Sequence, residues 1–280
     1  MRERIESAKT GEASGKGAIL ITGVSGGMGL ATAAAFLQNG ETVYGLDLRK
    51  PTQNPEGLRF LQADLTDPDS LQIAFESIRG DGVSLRGIVH MAGLYDLNSL
   101  VEMEDAAWRR IFAVNLDAVY RVNKLFLPLL QKNAGIVITT SELAELAPLP
   151  FTGIYAITKT ALDRYASSLR MELQLLGIRV IVLRPGAVDT KLLGVSTAKL
   201  DDFCENTSYY PTNAERFRRV VNRVEARKIR PERIAELAVR ALNAVHPRDV
   251  YTINRNPMLL LLNTLPNRLQ RRIIRGILKK

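Results

Sequence analysis

The sequence has a single cysteine, Cys204, so no disulfide can form within the chain and nothing argues for an oxidising compartment. Histidine is almost as scarce: His90 and His246 are the only two. With one thiol they make no cluster at metal-ligand spacing, so no metal is expected. No uninterrupted apolar run reaches about 18 residues, so no transmembrane helix is expected. Residues 1–16 are polar and mixed in charge, without the apolar stretch of a signal peptide, and are read as a polar N-terminal extension of a cytoplasmic protein. No internal repeat or low-complexity linker divides the chain. Its 280 residues and 46% hydrophobic content suit a single domain, residues 1–280, with one good core.

Acidic residues are missing from one region. Tyr251 to Lys280 hold seven Lys or Arg and no Asp or Glu, which leaves +2 of the net +9 for residues 1–250. Within this tail, residues 258–280 begin with five consecutive apolar side chains. Leu265, Leu269, Ile273 and Ile277 then recur at helical spacing, with Arg268, Arg271, Arg272, Arg275 and Lys279 on the other face. Such a basic amphipathic helix can lie peripherally in an anionic membrane interface. It can equally cover a substrate pocket, pack on another subunit of a homo-oligomer or attract an acidic carrier protein. Nucleic acid is not expected, because Tyr251 is the tail's only aromatic residue.

What is present begins with Ala18–Ile21, a short apolar run that stops at Thr22-Gly23-Val24-Ser25-Gly26-Gly27-Met28-Gly29. Leu30 to Asn39 then reads as an Ala-rich helix closed by Gly40. Strand, glycine turn and helix is the setting in which a backbone approaches a dinucleotide pyrophosphate at a helix N-terminus. Gly23, Ser25, Gly27, Met28 and Gly29 are the candidates for that contact. The next strand, Thr42–Leu46, ends at Asp47, about twenty residues on, where a carboxylate accepts both ribose hydroxyls and repels a 2′-phosphate. NAD is therefore preferred, with NADP as the alternative because Arg49 and Lys50 follow closely.

Further strands are predicted at Arg59–Ala63, Gly87–Met91, Gly135–Thr140, Arg179–Leu183 and Val250–Ile253. Helices are predicted at Pro68–Arg79 behind an Asp67 N-cap, over a long stretch from Glu104 to Leu130, at Tyr155–Leu176 and at Pro231–Ala244. Residues 191–230 are irregular in pattern and are the predicted substrate lid. The alternation implies an α/β fold: a Rossmann-like, doubly wound parallel sheet of about seven strands, helices on both faces and ligands at the strands' C-terminal ends. On one of those helices Tyr155 and Lys159 stand four residues apart, one turn from each other on one face. A cation beside a phenol favours the phenolate and pulls its pKa down.

In this order the motifs resemble the short-chain dehydrogenase/reductase family, single-domain branch, over about residues 17 to 253. The family's glycine loop appears as Thr22, Gly23, Gly27, Met28 and Gly29, and its adenine-side Asp as Asp64, followed by Leu65. Its Asn-Asn-Ala-Gly motif stands here as His90-Met91-Ala92-Gly93, with His90 read as a neutral structural residue. The family's Asn, Ser, Tyr and Lys match Asn115, Ser141, Tyr155 and Lys159, and its nicotinamide-holding segment matches Pro185, Gly186, Val188 and Thr190. Ser141 lies fourteen residues before Tyr155, where the family usually has thirteen, a position held by Glu142. One inserted residue in the Glu142–Ile154 loop accounts for the difference; the alternative is that Thr140, or no residue, supplies the hydroxyl.

The resemblance implies an NAD(P)-dependent alcohol dehydrogenase or ketone reductase. Tyr155 is then the general acid and base, and Lys159 lowers the Tyr pKa and holds the nicotinamide ribose. Ser141 binds the substrate oxygen, and Asn115 supports a water that links Lys159 to solvent. Pro148, Leu149, Pro150 and Phe151 make an apolar approach to Tyr155, as in family members acting on steroids, retinoids and other lipophilic alcohols. A 3-oxoacyl thioester reductase is one alternative, and a non-catalytic dinucleotide-binding redox sensor is another of a different class.

Overall fold

The computed structural model describes residues 17–225 and 227–279; the polar N-terminal extension lies outside the described residues. Buried apolar runs form the centre of the molecule. Ala18–Thr22 (β1), Val43–Asp47 (β2), Leu58–Gln62 (β3), Leu85–His90 (β4), Leu130–Thr139 (β5), Arg179–Pro185 (β6) and Val250–Ile253 (β7) are joined in one parallel sheet of order β3-β2-β1-β4-β5-β6-β7. The sequence expectation of seven parallel strands is met. Because a parallel sheet is covered on both faces, its strands carry apolar side chains on both. Leu20 points into one core with Phe126 and Leu162, while Ile19 and Ile21 point into the other with Phe36 and Leu237. One face is covered by Gly27–Gln38 (α1) and Pro231–Asn243, the other by Pro68–Gly80 (α2), Ala118–Phe126 and Gly153–Leu173.

Strand order reverses between β1 and β4, and the register pairs Thr22 with His90, His90 with Ile138 and Thr139 with Leu183. The C-terminal ends of four strands are thus level, and the chain leaves them at Gly23, Met91, Thr140 and Gly186. This is the crevice where open α/β sheets bind ligands.

Three expectations need correction. The stretch Glu104–Leu130 is not one helix. It is Asp105–Phe112 (α3), a π-helical turn at Ala113–Asp117, then Ala118–Phe126 (α4), and it ends in a 3₁₀ turn, Leu127–Leu129. Pro128 cannot continue an α-helix, so the chain turns there into β5. Second, the helix carrying Tyr155, Gly153–Leu173 (α5), begins two residues earlier than expected, which puts Tyr155 in its first turn.

Third, the region read as irregular contains two helices, Lys191–Asn206 (α6) and Pro211–Glu225 (α7). Gly194, Val195 and Thr197 dilute the helical signal of the first, and the second is mostly charged or polar. Their apolar residues, Leu200, Phe203, Ala214 and Phe217, meet in a satellite core of their own. An isolated bridge of Val188 to Ile229 and an ion pair of Lys228 with Asp189 (2.8 Å) close the base of this excursion.

Pro231–Asn243 is α8. The tail forms Pro257–Asn263 (α9) and Asn267–Lys279 (α10). α10 docks through Gln270, Ile274 and Leu278 rather than through the Leu269–Ile273–Ile277 stripe, which is exposed. Asn213 Nδ2 of α7 fixes its end by donating to the Leu278 carbonyl at 2.6 Å. Among the described residues no helix is long and apolar enough to cross a membrane.

Candidate active site

The glycine loop leaves β1 in a geometry that only small backbone units permit. Gly23 has φ +71°, and a Cβ there would stand 2.5 Å from the Ala92 Cα. At Gly29 a Cβ would meet the Gly23 carbonyl at 2.0 Å, so loop and helix close on each other directly. The α1 N-terminus has Gly26 as its cap, no side-chain cap bond and no acidic residue in its first turn. Its amides and dipole are therefore available to an anion. Gly27 faces Thr190 across the crevice, with a Cβ position 2.9 Å from Thr190 Cγ2. The Thr22 hydroxyl, buried beneath the loop, has no hydrogen-bond partner. These features fit the dinucleotide that the motif implies.

Asp47 ends β2 beside this loop. Its Oδ2 accepts the Ser25 amide at 2.9 Å and its Oδ1 accepts the Arg49 amide at 3.3 Å. Asp64 braces a turn instead: its Oδ1 accepts the Thr66 amide at 2.8 Å and the Thr66 hydroxyl at 2.7 Å, with Leu65 buried beside it.

The main cavity gathers the other predicted residues. Ser141, Tyr155 and Lys159 line one side, and Met28, Ala92 and Gly93 line another. Pro185, Gly186, Val188 and Thr190 complete the inner wall. The Gly186 amide donates to the Ile253 carbonyl at 2.9 Å, and a Cβ on Gly186 would lie 2.0 Å from the Asn254 carbonyl oxygen.

Of the candidate hydroxyls, Ser141 Oγ accepts the Leu143 amide at 3.2 Å and stands beside the Tyr155 phenol, whose pKa it lowers. Thr140 Oγ1 is engaged elsewhere, with Asp163 Oδ1 at 3.3 Å and the Leu183 carbonyl at 3.4 Å. Lys159 Nζ donates to the Thr139 carbonyl at 3.1 Å and lies 5.7 Å over the Tyr155 ring centroid.

Burial dominates the titration of both groups. It pushes the Tyr155 phenol up to about 12, against the lowering influence of Ser141, and brings the Lys159 ammonium down to about 8. The expected depression of the Tyr155 pKa is therefore reversed in this structure, because removing the phenolate from water costs more than its neighbours return. The sequence reading also missed Tyr95, whose ring stacks edge-on against Tyr155 with centroids 4.6 Å apart. Its only signal was an aromatic residue soon after Ala92-Gly93.

Asn115 sits in the π-helical turn and is fully buried. Its Oδ1 accepts the Leu94 amide at 2.7 Å, and its Nδ2 donates to the Leu94 carbonyl at 2.9 Å and to Thr158 Oγ1 at 3.0 Å. It thereby ties the segment after β4 to α5. A Cβ on Gly93 would be 3.4 Å from Lys159 Nζ and 3.5 Å from Asn115 Oδ1, so that glycine fills the gap between them. His90 is buried with Nε2 2.8 Å from Asn123 Oδ1, and burial lowers its pKa to about 4. It is neutral at pH 7, as its reading as a structural residue requires.

Glu142, in the position where the family's Ser is usual, lines the same cavity but is held by the backbone. Its buried carboxylate accepts the Asn256 amide at 2.7 Å, joining the residue after Ser141 to the start of α9. Burial raises its pKa, while the Asn256 amide and the Arg255 charge lower it. The outer cavity wall is apolar: Leu143, Leu149, Phe217, Val220, Val221 and Leu259. Phe151 lies just behind it with φ +64°, a rare conformation for a bulky residue. The rings of Phe203, Tyr210 and Phe217 surround it with centroids 4.9, 5.2 and 5.3 Å away.

Comparison with known proteins adds four findings. A family model described as short chain dehydrogenase matches residues 17–201. Estradiol 17-beta-dehydrogenase 2 of Mus musculus is 33% identical over 192 residues, which covers 63% of this chain and 49% of that protein; the match thus spans about half of that relative's length. The NADPH-dependent 1-acyldihydroxyacetone phosphate reductase of Schizosaccharomyces pombe is 30% identical over 200 residues, 69% of this chain and 68% of that protein. Among solved structures, a short chain dehydrogenase family protein from Francisella tularensis superposes with a TM-score of 0.71 at 25% identity, covering 85% of this chain and 97% of that one.

Proposed function

Since the chain belongs to the short-chain dehydrogenase family, we propose that it is an NAD(P)-dependent oxidoreductase whose substrate is a lipophilic secondary alcohol or ketone, steroid- or retinoid-like in character. The observation that carries this reading is that Ser141, Tyr155 and Lys159, with Lys159 over the Tyr155 ring, line one cavity that runs from the glycine loop to an apolar outer wall. Two relatives named for estradiol and for an acylated dihydroxyacetone phosphate support a lipophilic substrate. In this reading residues 1–280 form one dinucleotide-binding and catalytic domain, with α6 and α7 as the lid.

The nicotinamide, when bound, supplies or accepts the hydride. The chain supplies the rest. Gly23, Ser25, Gly27, Met28 and Gly29 present the α1 N-terminus to the pyrophosphate, with Asp64 and Leu65 beside the adenine. Asp47 accepts the ribose hydroxyls and disfavours a 2′-phosphate, which makes NAD the preferred cofactor. Ala92, Gly93, Pro185, Gly186, Val188 and Thr190 hold the nicotinamide end, with Lys159 on its ribose.

Tyr155 donates its proton to the substrate oxygen in reduction and takes one back in oxidation. A phenol pushed up to about 12 is protonated at neutral pH, the form that reduction needs. Ser141 holds the substrate oxygen as its charge changes. Asn115 steadies the Leu94–Thr158 junction behind Lys159.

The test is turnover of purified protein with NAD and NADP against steroid, retinoid, aliphatic and acyl-thioester alcohols and ketones, with Tyr155→Phe alongside. Turnover of a lipophilic substrate that is lost in the variant supports the reading. Turnover only of small polar alcohols, or turnover unchanged in the variant, overturns it.

A further inference from the structure

A second cavity, about 670 Å³, lies between α10 and the loop that leads into α5. That volume falls in the range of small-molecule pockets. Its floor is apolar, formed by Leu100, Pro150, Ile157 and Ile274 among others, and Leu100 and Ile157 remain 49% and 40% exposed. One edge is built differently. Arg271, Arg275 and Lys279 recur every fourth residue along α10 and all three line the cavity, whose walls among the described residues hold no Asp or Glu. At helical rise they form a row roughly 12 Å long. Among the described residues none of the three takes part in an ion pair, although other arginines of the α6–α7 region and the tail do.

A solvated basic helix face would look out at water. Here the row of cations borders an uncovered apolar trough, and together they complement a molecule with one alkyl body and one anionic head. We propose that this groove binds a single-chain anionic amphiphile, its chain on Leu100, Pro150 and Ile157 and its carboxylate or phosphate on Arg271, Arg275 and Lys279.

The groove abuts the chemical site without being part of it: Leu149 walls both cavities, and Gly153 of the groove wall opens the helix that carries Tyr155. The assignment stands independently of the catalytic reading. A bilayer would instead be met by the exposed Leu269, Ile273 and Ile277, which lie on a different face of α10 and line neither cavity.

The experiment titrates the full chain, by displacement of a fluorescent undecanoate, with dodecanoate, dodecyl phosphate, dodecanol and dodecyltrimethylammonium, each below its micellar concentration. Both anions should bind at least about tenfold more tightly than the alcohol, and the cation should not compete. Arg271→Ala with Arg275→Ala should weaken the anions about tenfold and leave dodecanol unchanged. Arg268→Ala with Arg272→Ala, on the same basic face but outside the groove walls, should weaken the anions less than about threefold, and Leu100→Gln should weaken all three binders. Tyr155→Phe should bind as the parent does, so that loss of turnover and loss of this site are read separately.

Equal affinity for alcohol and anion overturns the proposal, as does an equal loss in the Arg268/Arg272 pair. Protein captured only by phosphatidylglycerol vesicles, with no single-chain anion competing, assigns the cations to a membrane and also overturns it.

Discussion

Acidification should destabilise this protein through one imidazole, and the size of the effect follows from the site. His90 is fully enclosed at the end of β4, with Nε2 2.8 Å from Asn123 Oδ1, and its pKa falls from 6.5 to about 4. The unfolded chain therefore takes up a proton on His90 near pH 6.5, whereas the folded chain resists until about pH 4. Above pH 6.5 neither state is protonated and the full contribution is present. As pH drops through the window from 6.5 to 4, only the unfolded state gains a proton, and stability falls. At about 1.4 kcal/mol per pKa unit, the loss amounts to roughly 3 kcal/mol.

Carboxylates titrate in part of the same window, so the measurement is a difference. Urea unfolding is followed at intervals from pH 7.5 to pH 4 for the parent chain and for His90→Asn, which keeps a polar partner for Asn123 but cannot titrate. The variant may start from any stability at pH 7.5; only the slopes matter. The parent should lose roughly 3 kcal/mol more than the variant between the two ends. Parallel curves would refute the reasoning, because they would mean that the folded protein admits a charged imidazole at no cost.

Tyr155→Phe should lower kcat by about 10³-fold while leaving NADH affinity, read by fluorescence titration, within about threefold of the parent. Ser141→Ala should cost about 10²-fold in kcat, whereas Thr140→Ala, whose hydroxyl serves the Leu183 carbonyl and Asp163, should keep turnover within about threefold and lose about 1 kcal/mol of stability. Replacing Asp47 by Ala removes the carboxylate that opposes a 2′-phosphate, so the ratio of kcat/KM for NADP over NAD should rise by about tenfold or more. Glu142→Ala leaves the Asn256 amide without its acceptor; thermal unfolding should report a loss of roughly 1–3 kcal/mol, with Glu142→Gln retaining most of it.

The sheet was legible because parallel strands buried on both faces leave unbroken apolar runs such as Ala18–Ile21, and the strand-turn-helix order then restricts the topology. The start of α2 was legible too: Asp67 before Pro68 caps the helix as expected, accepting the Asp69 amide at 3.1 Å. What the sequence concealed depends on contacts distant in the chain. The π-helical turn at Ala113–Asp117 carries Asn115 against Leu94 and Thr158, and no local propensity announces that clamp. α6 and α7 exist because their few large apolar residues find one another and Phe151.

Spacing alone could not choose among Thr140, Ser141 and Glu142. The structure separates them by their surroundings: Thr140 is held on the Leu183 carbonyl and Glu142 on the Asn256 amide, while Ser141 is the one that lowers the pKa of the phenol. The tail had two apolar rows, and pattern could not say which one the body would cover. The direction of the Tyr155 shift was hidden for the same reason, since burial belongs to the folded chain and not to a motif.

Phe151 has a mechanical consequence. A bulky residue held at positive φ stores about 1–3 kcal/mol, and here the surrounding rings of α6, α7 and Tyr210, with the Asn98 amide donating to the Phe151 carbonyl at 2.9 Å, hold it there. Each of those three ring contacts returns about 0.5–1.5 kcal/mol. The strain and the ring contacts are therefore of similar size, and the two terms largely offset each other. The segment before Tyr155 is thus a loaded spring beneath the two helices. Phe151 stands outside the walls of the chemical site, so a substitution there changes this tension without altering the residues that line the cavity.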